Sequence, residues 1–448
     1  MLKDFLKVSK IKDLGQVREF AARSSSIKPQ IIKTVSGIIE DIRLSGQQAL
    51  FKYCSKYDGI KAKKLEDIKV CKEEFEKASD SIPLKYPGLV DAIKTAVKNL
   101  ELYHSFQIKN EPKTWYFKTG KENKKILGQI VRPLERAGLY IPGGRFLYPS
   151  SILMSAVPAK IAGVKDIAVC TPPGRDGQIS GLLLYIFSML GIYEVYKIGG
   201  AQAIAVLAYG TEDIKKVDKI AGPGNIYVTA AKKLVYGSVG IDSLAGPSEV
   251  MVIADKSANP AYIASDLISQ AEHDPQSSCL LLSTDEGIAE NTIKEICRQV
   301  DFISENYKDR FDRETVVKTL KKRCRIFFSQ SMGLCIDACN LFAPEHLELM
   351  VNDYESILQQ IKNAGAIFIG NYSPVAAGDY LCGTNHVIPT AQNARFSSPL
   401  GVYDFMKKSS VANYDRQSLE SEAGHISVFS DFENLVAHKN SIEIRFKT

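Results

Sequence analysis

The sequence contains no apolar run long enough to cross a membrane. Its most apolar stretch, GLLLYIFSMLGIY at residues 181–193, is about a dozen residues long, whereas a bilayer-spanning helix needs about twenty. The first residues, MLKDFLKVSKIKDL, mix charged with apolar positions and lack the apolar centre of a secretory signal. We therefore expect a cytoplasmic protein without membrane contact, in which residues 181–193 form a buried helix.

The sequence also lacks a strong charge bias and an ordered set of cysteines. The formal net charge is +6, and the densest basic run, residues 61–64, stands among acidic residues, which indicates a solvated face and argues against nucleic-acid binding. The nine cysteines are irregularly spaced, so we expect a reducing compartment and no disulfide framework. Cys335 and Cys339 are four residues apart, but no second Cys/His pair supports a structural zinc site there.

The composition is that of a soluble enzyme, with 45% hydrophobic and 24% charged residues, and 448 residues leave room for two or more domains. The first hundred residues or so show helical spacing. From about residue 125, short apolar runs alternate with helical segments, which predicts parallel sheets covered by helices and hence an α/β fold. The apolar runs are KDIAVC, VYKIGG, EVMVIAD, SSCLLLS, RIFFS and GAIFIG. The tail from about residue 390 is predicted to be a small helical appendage.

Glycine and proline cluster in four loops, YIPGGRF, KIGGAQA, IAGPGN and LAGPSE. Since ligands bind at the loops that leave the strands of open α/β sheets, the four loops predict one ligand-binding wall. A complete G-x-G-x-x-G fingerprint is absent, because GPGNIY at residues 222–227 has tyrosine at the third glycine position. Two interpretations stay open: a loop that binds pyrophosphate at a helix N-terminus, or a tight turn that only packs on a sheet.

Histidine is scarce, and most of it lies beside acids. Of six histidines, four lie in polar, turn-rich segments, namely His273, His346, His386 and His438, while His104 and His425 are expected to be structural. Acidic neighbours in those segments are Glu345, Asp379 and Glu433. Two imidazoles, one carboxylate and one amide oxygen would make a catalytic zinc site with an open position, but spacing alone does not select the ligands.

Glu345 and His346 are adjacent in FAPEHLELM. On a helix, neighbouring side chains point about 100° apart, so the pair could reach different atoms of one substrate, and a carboxylate with an imidazole suits water activation and proton transfer. The alternative is a surface pair at a helix start after Pro344. The spacing is not H-E-x-x-H, which argues against a zinc protease.

Nine motifs together resemble histidinol dehydrogenases, from about residue 15 to the C-terminus. They are GLYIPGG, YPSSILMSAVPAKIAGV, IGGAQAIAVLAYGT, KIAGPGN, GPSEVMVIAD, SQAEHDPQS, FAPEHLE, SPVAAGDYLCGTNHVIPT and FSSPLGVYDFMKKSS. The resemblance implies the last two steps of histidine biosynthesis. L-histidinol would give a hydride to NAD, the resulting histidinaldehyde would add water, and the hydrate would give a second hydride to a second NAD.

The resemblance also implies the residues of the site. One zinc ion per subunit would be held by Gln270, His273, Asp379 and, from the partner subunit of a homodimer, His438. The substrate-contact positions are Ser248, Gln270, His273, His346, Asp379, Glu433 and His438. NAD would lie against Tyr140, Gln202 and Asn225. His346 would take protons in both stages and Glu345 would activate the water, while zinc would mainly orient and polarise the substrate.

The domain organisation implied is two larger α/β domains with parallel, incomplete Rossmann-like sheets, and small helical N- and C-terminal extensions that exchange contacts in a dimer. The expected bounds are 1–30 for the first extension, 31–135 with 250–390 for the metal-binding and catalytic domain, 136–249 for the NAD-binding domain, and 391–448 for an extension that reaches the partner's active site. Two positions depart from the family pattern, Arg145 and Asn434, and Asn434 is expected to alter helix propensity rather than ligand geometry.

Two other mechanisms are open from the residues alone. A zinc-dependent hydrolase would use the same Glu345/His346 pair, but a small hydrolytic substrate would not need four glycine loops. A covalent dehydrogenase would use Cys382, which lies between Asp379 and His386, as its thiolate nucleophile. The family pattern does not carry catalysis on cysteine. A non-catalytic scaffold would not need this density of Asp, Glu and His in glycine loops.

Overall fold

The computed structural model describes residues 2–22, 27–143 and 147–447. Two compact units are present, one made of residues 1–108 and 135–405 and the other of residues 109–134 and 406–448. In the described parts of the chain, no helix combines the length and the apolar character that a membrane crossing requires.

The strands and helices follow the chain in a mostly alternating order. The strands are β1 Val8–Lys10, β2 Trp115–Thr119, β3 Lys125–Pro133, β4 Arg136–Tyr140, β5 Asp166–Thr171, β6 Glu194–Lys197, β7 Lys219–Ala221, β8 Gly240–Ile241, β9 Glu249–Ala254, β10 Ser278–Ser283, β11 Cys324–Phe328, β12 His346–Met350, β13 Ala366–Ile369 and β14 Met406–Asn413. The α-helices are α1 Gly15–Ala21, α2 Pro29–Tyr53, α3 Lys72–Lys85, α4 Pro87–Asn110, α5 Pro149–Ala162, α6 Gly181–Met189, α7 Gly200–Tyr209, α8 Ile226–Val235, α9 Pro260–His273, α10 Glu286–Asn306, α11 Arg313–Arg323, α12 Met332–Phe342, α13 Tyr354–Leu358, α14 Val375–Tyr380, α15 Arg416–Phe432 and α16 Val436–Glu443.

A six-stranded parallel sheet in the first unit has the order β1-β11-β10-β9-β12-β13. Its central strands β9 and β10 are buried along their whole length, because helices cover both faces of a parallel sheet. Side chains alternate between the faces, so Val250 and Val252 pack in one core and Met251 and Ile253 in the other. The predicted α/β architecture is thereby confirmed for this sheet.

A second, five-stranded parallel sheet of the same unit has the order β6-β5-β4-β7-β8. Helices α2, α7 and α8 share its core. Helix α2 is kinked at Gly46, whose φ of +49° is not helical, and it passes into a π-helical turn, Cys54–Asp58. The sequence places residues 31–135 with the other α/β domain, and those domain bounds stay a prediction.

The second unit contains a three-stranded antiparallel sheet with the order β14-β3-β2, followed by α15 and α16. The prediction of a helical tail is therefore only partly right, because strand β14 precedes the two helices. Strand β14, with the sequence MKKSSVAN, is mostly exposed and has no apolar alternation to announce a strand. Strand β1 was not predicted either. It is only three residues long, lies at the edge of the six-stranded sheet and falls in a stretch predicted to be helical.

Candidate active site

One linker joins the two parallel sheets, from the carboxyl end of a strand in one to the amino end of a strand in the other. Strand β8 ends at Ile241 and β9 begins at Glu249, so residues 242–248 run from the carboxyl edge of the five-stranded sheet to the amino edge of the six-stranded sheet. Three glycine loops follow β4, β6 and β7 at the carboxyl edge, as predicted. The fourth, LAGPSE, instead leads into β9, so it belongs to the amino edge and carries the half-buried Ser248 there.

Glu345 and His346 lie at the start of a strand, so the prediction that they lie on a helix is wrong. His346 is the first residue of β12, and both side chains are buried. The backbone of Glu249 holds the pair: its N–H donates to Glu345 Oε2 at 2.8 Å, and its carbonyl lies 2.9 Å from His346 Nδ1. Since a carbonyl can only accept, Nδ1 carries the proton and Nε2 is left as a base.

His346 Nε2 is buried and has no hydrogen-bond partner among the described residues. Burial lowers the pKa of His346, and the nearby His273 and His386 lower it further, while the charge of Asp379 opposes them. The imidazole is therefore neutral near pH 7 and available to accept a proton.

Two acids beside His346 have raised pKa values. Burial raises the pKa of Glu345 well above its ordinary range, and the charges of Glu249 and Asp379 add to the effect. Burial also raises the pKa of Glu249 to about 7, and its Oε2 has no partner within the described chain. Glu249 was missed by the sequence reasoning, although an acid at the start of a wholly buried strand, EVMVIA, is the signal that could have found it.

Helix α9 brings Gln270 and His273 to the same edge. It begins with Asn259 as N-cap, whose side chain accepts from Ala261 N at 2.9 Å, and Pro260 as first residue, as predicted. The helix runs back along the sheet and ends at His273, just before β10, whose Ser278 pairs with Glu249. Gln270 is buried, and its Nε2 finds no partner in the described part of the chain, while His273 is exposed.

Asp379 and His386 belong to the same cluster. Asp379 lies on α14 next to Gly378. A Cβ at Gly378 would stand 2.5 Å from the Phe368 ring, so the helix packs closely on that ring. The centre of the Phe368 ring is in turn 6.1 Å from that of the His346 ring. His386 has a pKa lowered by burial and by His273 and raised by Asp379. Its neighbour Asn385 donates to the carbonyl of Met154 on α5 at 2.6 Å.

Two carboxyl groups, the buried Glu348 and the half-buried Asp266, connect the elements of this edge. Glu348, two residues after His346 on β12, accepts from Val375 N at the start of α14 at 3.2 Å. Its side chain also hydrogen-bonds Asp266 on α9, which requires one of the two acids to keep a proton. Burial raises the pKa of Asp266 to about 6 and that of Glu348 well above its ordinary range.

At the carboxyl edge of the five-stranded sheet, a half-buried acid, Asp58, holds Gln202, one of the residues predicted to contact NAD. Asp58 accepts from Gly199 N and from Gln202 Nε2, both at 3.0 Å. The Tyr140 hydroxyl accepts from Gly200 N at 3.1 Å. Asp58 was not predicted from the sequence, since it lies some 140 residues before its partners without a motif around it.

Asn225 is the N-cap of α8. Its Oδ1 accepts from Tyr227 N at 3.0 Å and from Val228 N at 3.2 Å, which leaves the amide nitrogen of its side chain to donate elsewhere. Tyr140 thus ends β4, and Gln202 and Asn225 follow β6 and β7. The carboxyl ends of these parallel strands lie at the same edge of one sheet.

Glu433 and His438 belong to the second unit, where both side chains are exposed. They do not share one helix: Glu433 caps α15, His438 lies on α16, and Asn434 between them has a φ of +56°. The expectation that Asn434 alters helix propensity is therefore wrong, because asparagine here fills a left-handed turn position that favours glycine. Arg145 lies outside the described residues.

The other histidines and cysteines have ordinary environments. His104 is buried in α4 with its Nδ1 2.9 Å from Gln107 Oε1, while His425 is exposed on α15. Cys335 and Cys339 lie on α12 and are buried in a hydrophobic core, and burial raises the pKa of both thiols. Cys382 is exposed, with its Sγ 2.8 Å from Thr384 Oγ1.

Within the described residues, no three His, Cys, Asp or Glu side chains are grouped to hold a metal ion. The first unit supplies only two such ligands of the predicted set, His273 and Asp379, together with the amide of Gln270. A buried amide without a partner among the described residues, an imidazole and a carboxylate are nitrogen and oxygen donors that suit zinc. These three residues therefore fit the ion, but the first unit lacks the fourth predicted ligand.

Comparisons with known proteins agree on one family. The family model described as histidinol dehydrogenase matches residues 21–446. Histidinol dehydrogenase from Clostridium acetobutylicum is 44% identical over 425 residues, covering 95% of this chain and 94% of that protein. The enzyme of the same name from Methanocaldococcus jannaschii is 41% identical over 442 residues, covering 98% and 99%.

A solved structure agrees as well. The crystal structure of histidinol dehydrogenase from Elizabethkingia anophelis superimposes with a TM-score of 0.88 at 35% identity, covering 99% of this chain and 98% of that one. The chain belongs to the histidinol dehydrogenase family.

Proposed function

We propose that the protein oxidises L-histidinol to L-histidine in two steps through L-histidinaldehyde, with NAD as hydride acceptor and one zinc ion per subunit. The observation that carries the proposal is His346 Nε2, a buried base without a partner among the described residues, held by Glu249 next to Glu345. Family membership supports the substrate, since the related proteins are named for it. A cytoplasmic location stays a prediction.

The geometry of His346 supports the proton transfers that this proposal requires. In the first oxidation the alcohol oxygen would give its proton to His346 Nε2, while NAD, when bound, would supply the acceptor for the hydride of the alcohol carbon. Water would then add to the aldehyde, and the hydrate would lose a second proton and hydride in the same way. His346 can take the proton both times because burial lowers its pKa, so that the imidazolium formed in the first stage would give its proton to solvent before the second stage.

Glu345 is proposed to direct the water. Its raised pKa means that the carboxyl keeps its proton in the chain alone, so it would act as a base only next to a positive charge. Zinc would supply that charge as well as orienting and polarising the substrate, held by Gln270, His273, Asp379 and His438 of the partner subunit. Ser248, at the amino edge of β9, and Glu433 complete the proposed substrate contacts.

NAD is proposed to lie along the carboxyl edge of the five-stranded sheet, against Tyr140, Gln202 and Asn225. Protein side chains do not accept hydride, so the oxidation requires a cofactor. Backbone N–H groups at the starts of α7 and α8 suit a pyrophosphate, as helix N-termini do in general. The hydrolase alternative uses none of these loops.

A homodimer with shared sites is proposed from the surface of the second unit. Large apolar side chains are exposed along α15 and α16, with Phe432 reaching 88% exposure. The others are Val428, Phe429, Leu435 and Val436. An apolar patch of this kind on a soluble protein indicates a protein partner, and a second copy would cover it while bringing His438 to another subunit's site.

The function test is a count of products. L-histidinol with excess NAD should yield two NADH and one L-histidine per substrate, measured by NADH absorbance and amino-acid analysis. One NADH with accumulated aldehyde would reject the second step, and no NADH would reject the proposal.

The shared site is tested by mixing variants. His273→Ala and His438→Ala homodimers should each be nearly inactive. Refolded together, about half of the dimers are mixed and each has one intact site, so about a quarter of wild-type activity should return. A mixture as inactive as its parents would reject sharing.

A further inference from the structure

Helix α8 carries a lysine that is almost fully buried. Lys232 and Asp242 form an ion pair in which the side chains are 2% and 3% exposed. A buried ion pair is costly unless its remaining hydrogen-bonding capacity is used, and apolar residues of similar volume stabilise a fold at least as well. The remaining hydrogen bonds of this pair therefore indicate what it does.

Those hydrogen bonds converge on one residue. Lys232 Nζ donates to the carbonyl of Gly222 at 3.0 Å, and Asp242 Oδ2 accepts from the Gly222 N–H at 2.8 Å. Both polar backbone groups of a loop residue are thus tied to the same ion pair. We call Lys232 and Asp242 with their two bonds to Gly222 the Gly222 clamp.

At Gly222 the loop IAGPGN packs closely against Tyr140 at the end of β4. The φ of Gly222 is +115°, and a Cβ there would stand 2.1 Å from the carbonyl oxygen of Tyr140. Three residues later Asn225 caps α8, the helix that carries Lys232. The clamp therefore fixes the loop at both ends, against Tyr140 on one side and through α8 on the other.

We propose that Lys232 and Asp242 are positioning residues of the nucleotide site, which hold the Gly222–Asn225 loop in the shape that receives the NAD pyrophosphate. The inference rests on the proposed function for the identity of the ligand. It adds two residues that touch neither substrate nor cofactor but set the spacing of Tyr140 and Asn225.

The test compares two neutral double variants of the purified, zinc-loaded protein. K232M/D242N removes the buried charges together, so that neither is left unpaired, and keeps the acceptor for Gly222 N–H while losing the donor to its carbonyl. The matched control is K219M/D404N. Lys219 on β7 and Asp404 in the turn Val402–Phe405 form a 3.0 Å ion pair that bonds neither polar group of Gly222. Both are titrated with NADH by fluorescence, without substrate.

We expect K232M/D242N to weaken NADH binding about tenfold, the scale of one well-placed hydrogen bond, and the control to leave it unchanged. The KM for NAD should rise in parallel, while kcat at saturating NAD and the KM for L-histidinol stay near wild type. A folded K232M/D242N protein with a wild-type NADH Kd would overturn the proposal and show that the ion pair contributes only to the stability of the fold.

A second measurement needs no variant. Hydrogen exchange of the wild-type protein should show a strongly protected Gly222 amide without any ligand, although it lies in a loop. Rapid exchange of that amide would overturn the clamp even if the double variant failed to fold. Wild-type protein that binds no NADH would instead reject the nucleotide site, and with it the proposed role of the clamp.

Discussion

The two parallel sheets of the first unit use their polar groups in opposite ways. At the amino edge of the six-stranded sheet, His346 Nε2, Gln270 Nε2 and Glu249 Oε2 are buried without partners among the described residues. At the carboxyl edge of the five-stranded sheet, Asp58, the side-chain oxygen of Asn225 and the Gly222 clamp are hydrogen-bonded to one another or to neighbouring backbone and side-chain groups.

This difference separates chemistry from binding. A buried polar atom without a partner costs free energy, about 1–3 kcal/mol each, so three of them at one edge indicate that substrate or metal supplies the missing partners. Groups that are already hydrogen-bonded, such as Asp58 and the Gly222 clamp, hold their loops in place before a ligand arrives, which suits a cofactor that is bound mainly through loop backbone. We therefore expect the two edges to respond separately to perturbation.

The largest separation should come from removing the metal. A chelator should abolish NADH production, because three of the four proposed ligands, Gln270, His273 and Asp379, belong to the amino edge, and zinc should restore it. NADH binding at the other edge should not change, and circular dichroism should report an intact fold. Full turnover in metal-free protein would remove the ion from the mechanism.

A smaller effect should come from Glu345. We expect Glu345→Gln to slow oxidation of supplied histidinaldehyde by about a hundredfold, because that stage needs activated water, while the first hydride transfer loses much less. Equal losses in both stages would show that Glu345 only positions the site.

The cysteine control belongs with this experiment. Cys382→Ser should retain most activity in both stages, since the thiol is exposed and contacts Thr384. A loss of about a thousandfold or more, as when a covalent nucleophile is removed, would instead support a thiolate mechanism.

The smallest effect concerns the carboxyl pair that joins α9, β12 and α14. Folding raises the pKa of Asp266 from 3.8 to about 6, so the folded state binds more protons than the unfolded state between those values. This contribution to stability is complete below about pH 4 and is lost as the pH rises through about 6. Asp266→Asn cannot titrate but keeps a hydrogen-bond donor to Glu348.

The Tm of Asp266→Asn relative to wild type should therefore be higher at pH 7 than at pH 4, by a few degrees. Asp301→Asn is a suitable control, because Asp301 is an exposed acid paired with Arg313. A difference between Asp266→Asn and wild type that does not vary with pH would show that the pair does not share a proton in this way.

Much of the fold was predictable because parallel strands buried on both faces read as apolar runs. The runs KDIAVC, EVMVIAD and SSCLLLS became β5, β9 and β10, and the apolar stretch at residues 181–193 contains the helix α6. The helix start at Asn259-Pro260 was predictable from local capping chemistry.

The remainder depends on long-range pairing that no local pattern records. The short run HLELM after Glu345 suits a helix or a strand equally well, and only its pairing with β9 and β13 decides. Glu249 and Asp58 are single acids whose importance comes from distant partners. Which strand end each loop occupies follows from topology, so the two edges could not be told apart in the sequence.

The separation of the two edges is tested most directly by one paired measurement: NADH affinity and turnover in His346→Asn and Asp58→Ala. We predict that His346→Asn lowers kcat by about a thousandfold with an unchanged NADH Kd, because it removes only the proton acceptor. Asp58→Ala should raise the NADH Kd severalfold and leave kcat at saturating NAD near wild type, because it frees Gly199 and Gln202. An NADH Kd raised as much by His346→Asn as by Asp58→Ala, or a kcat lowered equally by both, would contradict the account.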